Sequence, residues 1–132
     1  YEKGDRTPHP DPVVADLIRT MAAEMGNTPR DFTEDEILKR LLFSSVNEAC
    51  KILEEKIAYR ASDVDVMWLY GFGFPRYHGG LMYWADNIGT QDVYNQIAAW
   101  HQQYGDRWAP SALLRKLADT GTAFREAHTL VG

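Results

Sequence analysis

The chain has 132 residues, enough for one modest hydrophobic core, and its 45% hydrophobic and 25% charged residues are typical of an ordinary globular protein. Nineteen acidic against fourteen basic residues give a formal charge of −5 without a Lys/Arg cluster, so nucleic acid is not an expected partner. No apolar run reaches the roughly 18 residues that a membrane-spanning helix needs, and the first residues lack the features of a signal peptide.

The N-terminal half predicts a lead-in followed by two helices. Residues 1–12 contain three prolines and predict an extended segment, which suggests a piece of a longer protein. Apolar residues then recur at three- and four-residue steps over residues 13–25 and predict a helix that Gly26 stops. Thr33 and Glu36 have the spacing of a capping box, and the longest amphipathic stretch follows, from residue 37 to about residue 58. Its predicted buried face consists of Leu38, Leu42, Val46, Ala49, Leu53 and Ile57, widened by Ile37, Leu41, Cys50 and Ile52.

The C-terminal half predicts shorter helices separated by glycine and proline. Ser62–Asp65 starts one helix, and residues 71–75 must end it because two glycines and a proline cannot continue a helix. Residues 81–88, 91–104 and 110–121 predict three more helices, and the residues from Thr122 onward predict a short, polar, frayed tail. The sequence contains no recognisable strand pair or repeat. It therefore predicts an all-α, compact helical bundle, with a lead-in at 1–12, a domain at 13–121 and a tail at 122–132.

Two patterns resemble chemical sites but favour structural roles. The segment Gly71–Arg76 is glycine-rich like a dinucleotide-binding loop, yet no predicted strand precedes it, the third glycine is missing and its proline removes an amide. We interpret it as tight turns between two packed helices. Asp63 and Asp65 could act as paired carboxylates, but their place at a helix start favours capping, with a salt bridge to Arg60 or Arg76 as the alternative.

The candidate contact residues are Arg76, Tyr77 and His78. His78 is the histidine best placed to act as a base, but the other histidines lie far away in sequence and none has metal-ligand spacing. The only cysteine, Cys50, lies in an amphipathic helical pattern and is expected to be a buried thiol. We therefore expect His78 to be a structural residue, with substrate contact by the three candidates as the alternative, and we predict no catalytic, cofactor or metal residues. The aromatic residues that could form a core, an interface or a ligand box are Tyr77, Tyr83, Trp84, Tyr94, Trp100 and Tyr104.

Several segments together resemble the C-terminal helical domain of 3-hydroxyacyl-CoA dehydrogenases, a fold type shared with the C-terminal domain of 6-phosphogluconate dehydrogenases. These segments are Glu36–Leu42, Asn47–Ala49, Ala61–Asp65, Tyr70–Pro75, Gly79–Gly80 and Ala85–Gly89. The chain most resembles the second copy of this domain, with which multifunctional fatty-acid β-oxidation proteins end.

The resemblance implies a parent protein that combines an enoyl-CoA hydratase region, a dinucleotide-binding region for NAD and two helical domains. In that family the acid–base pair and the nucleotide loop belong to the dinucleotide-binding region, so the resemblance implies no cofactor in this chain. The catalytic copy of the helical domain contributes an asparagine just before an arginine. The matching pair here is Lys39 and Arg40, and the departure at Lys39 argues that a direct role in the reaction is lost.

The resulting hypothesis is a non-catalytic structural and dimerisation domain of a multifunctional β-oxidation enzyme. The alternatives are a domain that still contacts the acyl-CoA substrate and an independent helical regulator. The expected partners are the dinucleotide-binding, hydratase and first helical regions of the parent protein, or a second copy when the chain is isolated. We expect the contact to be made by an apolar and aromatic patch shared between the long helix and the Trp68–Trp84 region. The terminal Leu130–Gly132 is not the peroxisomal address, and a bacterial, cytoplasmic parent is expected rather than a peroxisomal one.

Overall fold

The computed structural model describes residues 4–131, which form helices joined by tight turns, with no strand in this range. The prediction of an all-α fold is confirmed. The described chain divides into two compact units, with the boundary between Thr33 and Glu34. None of the helices in residues 4–131 combines the length and the apolar character that crossing a membrane requires. The α-helices are α1 (Pro12–Glu24), α2 (Glu34–Glu54), α3 (Ala61–Gly71), α4 (Leu81–Ile88), α5 (Thr90–Tyr104) and α6 (Ala112–Thr120), and 3₁₀ helices cover Arg76–His78, Asp106–Trp108 and Phe124–Thr129.

Helix α1 belongs to the first unit, and local signals define both of its ends. The Asp11 carboxylate accepts hydrogen bonds from the amides of Val13, at 2.8 Å, and Val14, at 3.4 Å. Proline follows at the first helical position, where no amide donor is needed. At the other end Gly26 has a φ of 71° and its amide donates to the carbonyl of Ala23, as expected at a helix C-terminus.

Helix α2 is the centre of the second unit, where it packs against α3, α4, α5 and α6. Its predicted face is buried in the middle of the helix but not at its start. Ile37, Leu38 and Leu41 are 48%, 48% and 63% exposed, whereas Phe43, which the sequence pattern did not select, is 2% exposed. The prediction was therefore wrong for the first two turns. The buried residues of α2 are Phe43, Val46, Asn47, Ala49, Cys50 and Leu53.

Helix α2 also ends at Glu54, earlier than the predicted end near residue 58. The amide of Lys56 donates to the carbonyl of Leu53, at 3.1 Å, and that of Ile57 to Ile52, at 3.0 Å. These are the two hydrogen bonds of a Schellman motif, and Lys56 adopts the left-handed conformation, with a φ of 57°. Because a lysine occupies the position usually held by glycine, the sequence carries no glycine signal for this helix end.

The C-terminal segment is part of the core of the second unit. The 3₁₀ helix Phe124–Thr129 packs against α3, α4 and α6. Phe124 and Ala127 are fully buried, and the Lys116 ammonium group donates to the carbonyl of Leu130 at 2.8 Å. The expectation of a polar, frayed tail was therefore wrong, because Phe124 supplies apolar surface that covers the helices beneath it.

Candidate functional site

The three predicted contact residues lie side by side on an exposed turn between α3 and α4. Arg76, Tyr77 and His78 form the 3₁₀ helix, and Tyr77 is 84% exposed. The ring centroids of Tyr77 and His78 are 4.4 Å apart, and the Arg76 guanidinium lies 5.5 Å above the ring of Tyr70, a cation–π distance. The structure thus brings the three side chains together at the surface, and their contact with a substrate stays a prediction.

The glycine-rich segment before this turn does not fit a dinucleotide. Within residues 4–131 no strand precedes it, so the strand–loop–helix geometry that directs amides at a pyrophosphate is not formed. Gly71 instead ends α3, and the amide of Phe74 donates back to the carbonyl of Trp68 at 3.0 Å. Helices α3 and α4 pack against each other, as the interpretation of a turn between packed helices requires. The described residues of this segment therefore do not fit NAD.

The pair Gly79–Gly80 allows a carboxylate from α3 to cap α4. Oδ1 of Asp65 accepts hydrogen bonds from the amides of Met82, at 2.6 Å, and Tyr83, at 3.3 Å, in the first turn of α4. Gly80, with a φ of 104°, has no side chain of its own for this purpose. A Cβ atom at Gly80 would lie 2.5 Å from Oδ1 and 2.6 Å from Cγ of Asp65. Glycine is therefore required at this position for the carboxylate to reach the helix end.

Asp63 and Asp65 cap different helices rather than forming one acid–base pair. Oδ2 of Asp63 accepts from the amides of Arg60, at 2.9 Å, and Tyr59, at 3.2 Å, just before α3. Burial raises the pKa of Asp65; the hydrogen bonds from α4 act in the opposite direction, and the nearby charge of Asp86 raises the pKa further. The prediction that both aspartates are capping residues is confirmed, although the sequence did not indicate that Asp65 caps the following helix.

Asn47 and Glu54 of α2 satisfy backbone groups at the start of α6. The side-chain amide of Asn47 donates to the carbonyl of Ala109, at 2.9 Å, and its oxygen accepts from the amide of Ser111, at 2.8 Å. The Glu54 carboxylate accepts from the amide of Leu113 in the first turn of α6. Asn47 is only 6% exposed, so burial removes the water around its polar atoms. These two hydrogen bonds replace the hydrogen bonds to water that are lost.

Asp86 of α4 has the same role toward the C-terminal segment. Its carboxylate accepts from the amides of Phe124, at 2.5 Å, and Arg125, at 3.1 Å, and the Arg125 guanidinium lies 3.6 Å away. The Asp86 side chain is 6% exposed. Sequence reasoning missed the capping roles of Asn47, Glu54 and Asp86. One signal in the sequence could have indicated such a role: Asn47 is a polar residue within the apolar stripe of α2, and a buried polar side chain needs a hydrogen-bond partner.

The aromatic residues divide between core and surface. Trp100 is 6% exposed, with ring centroids 6.1 Å from Phe43 and 4.6 Å from Trp108. Trp84 and Tyr94 are partly buried against the same core. In contrast, Tyr77, Tyr83 and Tyr104 are 84%, 54% and 44% exposed. The six residues therefore do not form one ligand box.

Lys39 and Arg40 make separate contacts on the first turns of α2. The Lys39 ammonium group lies 2.7 Å from the Asp35 carboxylate, and Arg40 pairs with Glu36 at 3.0 Å and donates to the Tyr104 hydroxyl at 2.9 Å. Lys39 also borders a cavity of 420 Å³ between α2 and α5. The position where the family resemblance implies an asparagine is thus held in a lysine–aspartate ion pair. The other lining residues of this cavity are Phe43, Ile88, Asp92, Asn95, Gln96 and Ala99.

A second recess lies between the end of α2 and α3. It has a volume of 380 Å³ and a mostly apolar lining, formed by Ile52, Ile57, Ala58, Tyr59, Asp63, Val64 and Met67. We call it the α2–α3 groove. Within residues 4–131, no three His, Cys, Asp or Glu side chains are grouped so that they could hold a metal ion.

Comparison with known proteins identifies the family. The model of the domain described as "3-hydroxyacyl-CoA dehydrogenase, C-terminal domain" matches residues 37–129. The chain belongs to this family. The match covers the second compact unit almost completely and includes every segment in which the resemblance was recognised, apart from the residue that precedes Ile37.

Longer proteins of β-oxidation contain regions similar to this chain. It is 41% identical over 122 residues to a peroxisomal fatty acid beta-oxidation multifunctional protein of Oryza sativa subsp. japonica, covering 89% of this chain and 17% of that protein. It is 39% identical over 125 residues to the peroxisomal bifunctional enzyme of Danio rerio, covering 92% and 17%. It is 36% identical over 120 residues to a glyoxysomal fatty acid beta-oxidation multifunctional protein MFP-a of Brassica napus, covering 88% and 17%. The chain thus spans 17% of the length of each of these relatives.

These relatives correct one expectation. A bacterial, cytoplasmic parent was expected, in part because the last residues are not the peroxisomal address. The relatives are instead named as peroxisomal or glyoxysomal proteins of plants and an animal, so that expectation was wrong.

Proposed function

We propose that this chain is a non-catalytic helical domain through which a peroxisomal multifunctional β-oxidation protein packs its parts together. The neighbours would be the enoyl-CoA hydratase region, the NAD-binding region and the first helical copy that the family resemblance implies. NAD would then be bound by the dinucleotide-binding region of the parent protein. The contribution of this domain would be to fix the relative positions of its neighbours.

The exposure of large apolar side chains carries this proposal. On α3 and the turn that follows, Val66, Tyr70 and Phe72 are 55%, 75% and 68% exposed, and Met67 is 44% exposed. Apolar surface of this kind is costly in water when it is contiguous, and it marks a site of association. Ile37, Leu38 and Leu41 expose further apolar surface at the start of α2.

The hydrogen bonds made by three partly or fully buried polar side chains support a structural role. Asn47, Asp65 and Asp86 each accept hydrogen bonds from backbone amides at the start of another element. A group held in this way stabilises a helix end, and it is not presented to a substrate. Packing therefore accounts for these three polar residues of the segments that carry the family resemblance.

Two measurements test the proposal. Sedimentation equilibrium of the purified chain should show association that increases with protein concentration, because a second copy can cover the exposed surface. A strict monomer at high concentration would contradict this part. The chain alone should not oxidise NADH in the presence of acetoacetyl-CoA, and measurable turnover would contradict the non-catalytic role.

A second candidate function is contact with the acyl-CoA substrate through Arg76, Tyr77 and His78. Its support is that one exposed turn presents a guanidinium, a phenol ring and an imidazole together, which suits a phosphate or the pantetheine arm of CoA. Calorimetric titration with acetoacetyl-CoA tests it. Saturable heat that is lost in Arg76→Ala would support contact, and no heat would leave the packing role alone.

A further inference from the structure

Lys56 differs from the other lysines of residues 4–131 in the state of its ammonium group. Two of the others form ion pairs with carboxylates of their own helix, and a third donates a hydrogen bond to a backbone carbonyl. These three are Lys39, Lys51 and Lys116. The exposed side chain of Lys56 makes no such contact within the described part of the chain. Its nitrogen can therefore meet a reactant without breaking an interaction of the fold.

The backbone of Lys56 is strained in a way that a glycine would relieve. Within residues 4–131, Lys56 is the one residue other than glycine with a positive φ, at 57°. Glycine adopts this conformation without a steric penalty, so the turn that ends α2 does not require a lysine. Strained residues of this kind are concentrated at functional positions. The conformation therefore indicates that the Lys56 side chain serves a purpose other than folding.

Lys56 borders a recess between the end of α2 and the C-terminal segment. The recess has a volume of 330 Å³, and His128, which is exposed on the last 3₁₀ helix, lines it as well. A neutral imidazole is a proton acceptor. Leu53, which is 1% exposed, and Val131 contribute apolar surface. The residues that line this Lys56 recess are Leu53, Lys56, Ala58, Tyr59, His128 and Val131.

We propose that Lys56 is acylated by acyl-CoA thioesters, with His128 as the acceptor of the lysine proton. A lysine nitrogen on its flexible stem is a nucleophile for carbonyl carbons once it has lost a proton. Contact with the apolar surface of the Lys56 recess stabilises the hydrocarbon part of an acyl group. This inference rests on the proposed function for its acyl donor, because a β-oxidation protein works among acyl-CoA thioesters.

The proposed reaction joins the acyl group to the lysine and releases CoA. His128 takes one proton from the Lys56 ammonium group and passes it to water, which leaves an electron pair free on Nζ. Nζ then forms a bond to the thioester carbonyl carbon, and the carbon–sulfur bond breaks. A second proton moves from the nitrogen to the sulfur, so that CoA leaves as a thiol. The product is an amide without charge, so the positive charge of Lys56 is lost.

Peptide mapping by mass spectrometry, after incubation of the wild-type chain with butyryl-CoA, is the first test. Cleavage after glutamate separates Lys51 from Lys56, because Glu54 and Glu55 lie between them. Lys51 is the matched control, since it lies one turn before the end of α2 but is paired with Glu48. Butyrylation should be about tenfold or more faster at Lys56 than at Lys51. Equal rates at the two lysines, or no butyryl group at Lys56, would overturn the proposal.

Histidine variants test the role of His128 as the proton acceptor. His128→Gln keeps a polar side chain but removes the basic nitrogen, and it should slow butyrylation of Lys56 by about tenfold or more. His101→Gln makes the same change outside the Lys56 recess, at the end of α5, and should leave this rate within about twofold. The rate at Lys51 should be the same in both variants and reports any general loosening of the fold. Equal effects of the two variants on Lys56 would overturn the proposal.

These measurements separate the failure of this inference from that of the proposed function. Butyrylation is read on single chains, so it does not depend on association. A wild-type chain that is a strict monomer but reacts selectively at Lys56 would contradict association and support acylation. A wild-type chain that associates but does not react at Lys56 would overturn acylation and leave the packing role in place.

Discussion

Gly80→Ala should destabilise the fold far more than the matched change Gly89→Ala. The two glycines have nearly the same backbone φ, 104° and 105°, and each directly precedes a helix. They differ in their surroundings. A Cβ at Gly80 would lie 2.5 Å from Oδ1 of Asp65, whereas a Cβ at Gly89 has no other atom within 4 Å. The pair therefore separates backbone strain from the loss of the Asp65 contact.

The expected magnitudes follow from these two terms. A residue other than glycine at such a φ costs roughly 1–3 kcal/mol, and both variants carry this cost. At Gly80 the Asp65 carboxylate must also move away from α4. The loss of a helix cap costs about 1 kcal/mol, and a buried amide left without an acceptor costs about 1–3 kcal/mol. Met82, whose amide is affected, is fully buried, so we expect Gly80→Ala to cost about 2 kcal/mol more than Gly89→Ala.

Urea unfolding followed by tryptophan fluorescence measures this difference. The free energy of unfolding and its dependence on urea should be compared for the wild type and both variants at one pH, so that only stability differs. If the two variants lost the same free energy of unfolding within about 0.5 kcal/mol, the Asp65 cap would contribute nothing beyond ordinary surface effects, and the reasoning would be refuted.

Three further predictions concern single side chains of the second unit. Lys56→Gly should raise the free energy of unfolding by about 0.5–1 kcal/mol, because glycine adopts the left-handed conformation at the end of α2 without strain. Urea unfolding measures this gain, and the control variant Lys56→Ala should show none. Burial raises the pKa of Asp65 above its ordinary 3.8, so near that pH the folded chain binds more protons than the unfolded chain. The stability that Asp65 gains from this proton is full below pH 3.8 and is lost as the pH rises through the raised pKa. The Asp65→Asn variant cannot titrate at this position. As the pH rises from acid to neutral, its free energy of unfolding should therefore increase relative to that of the wild type, and a difference between the two that stays constant with pH would contradict the raised pKa of Asp65. Burial raises the pKa of Cys50 to about 12, so Ellman's reagent should label the thiol only as fast as the fold opens, and immediate labelling of the native chain would show that the thiol is accessible.

Local patterns in the sequence were enough to predict the six α-helices, although not all of their ends, and to recognise the family. Asp11, Pro12 and Gly26 fix the ends of α1 through contacts with residues at most four positions away, and such contacts depend on spacing alone. The periodicity of apolar residues likewise identified α2. The adjacency of Arg76, Tyr77 and His78 followed from their being consecutive, although their exposure did not.

The start of α2 shows where periodicity fails. Ile37, Leu38 and Leu41 continue the apolar stripe but remain exposed, while Phe43 turns into the aromatic cluster around Trp100. Which side of a broad apolar stripe is covered depends on where the neighbouring helices lie. That arrangement depends on contacts between residues distant in sequence, so it cannot be predicted from a local pattern.

The sequence by itself determined that this chain is a set of capped helices and that it resembles a recognisable family. Only the tertiary structure decided that Asp65, Asp86 and Asn47 cap elements 17, 38 and 64 residues away. The physical reason is the short range of a hydrogen bond: a carboxylate stabilises whichever amides lie within about 3 Å, and folding brings those amides from distant parts of the chain.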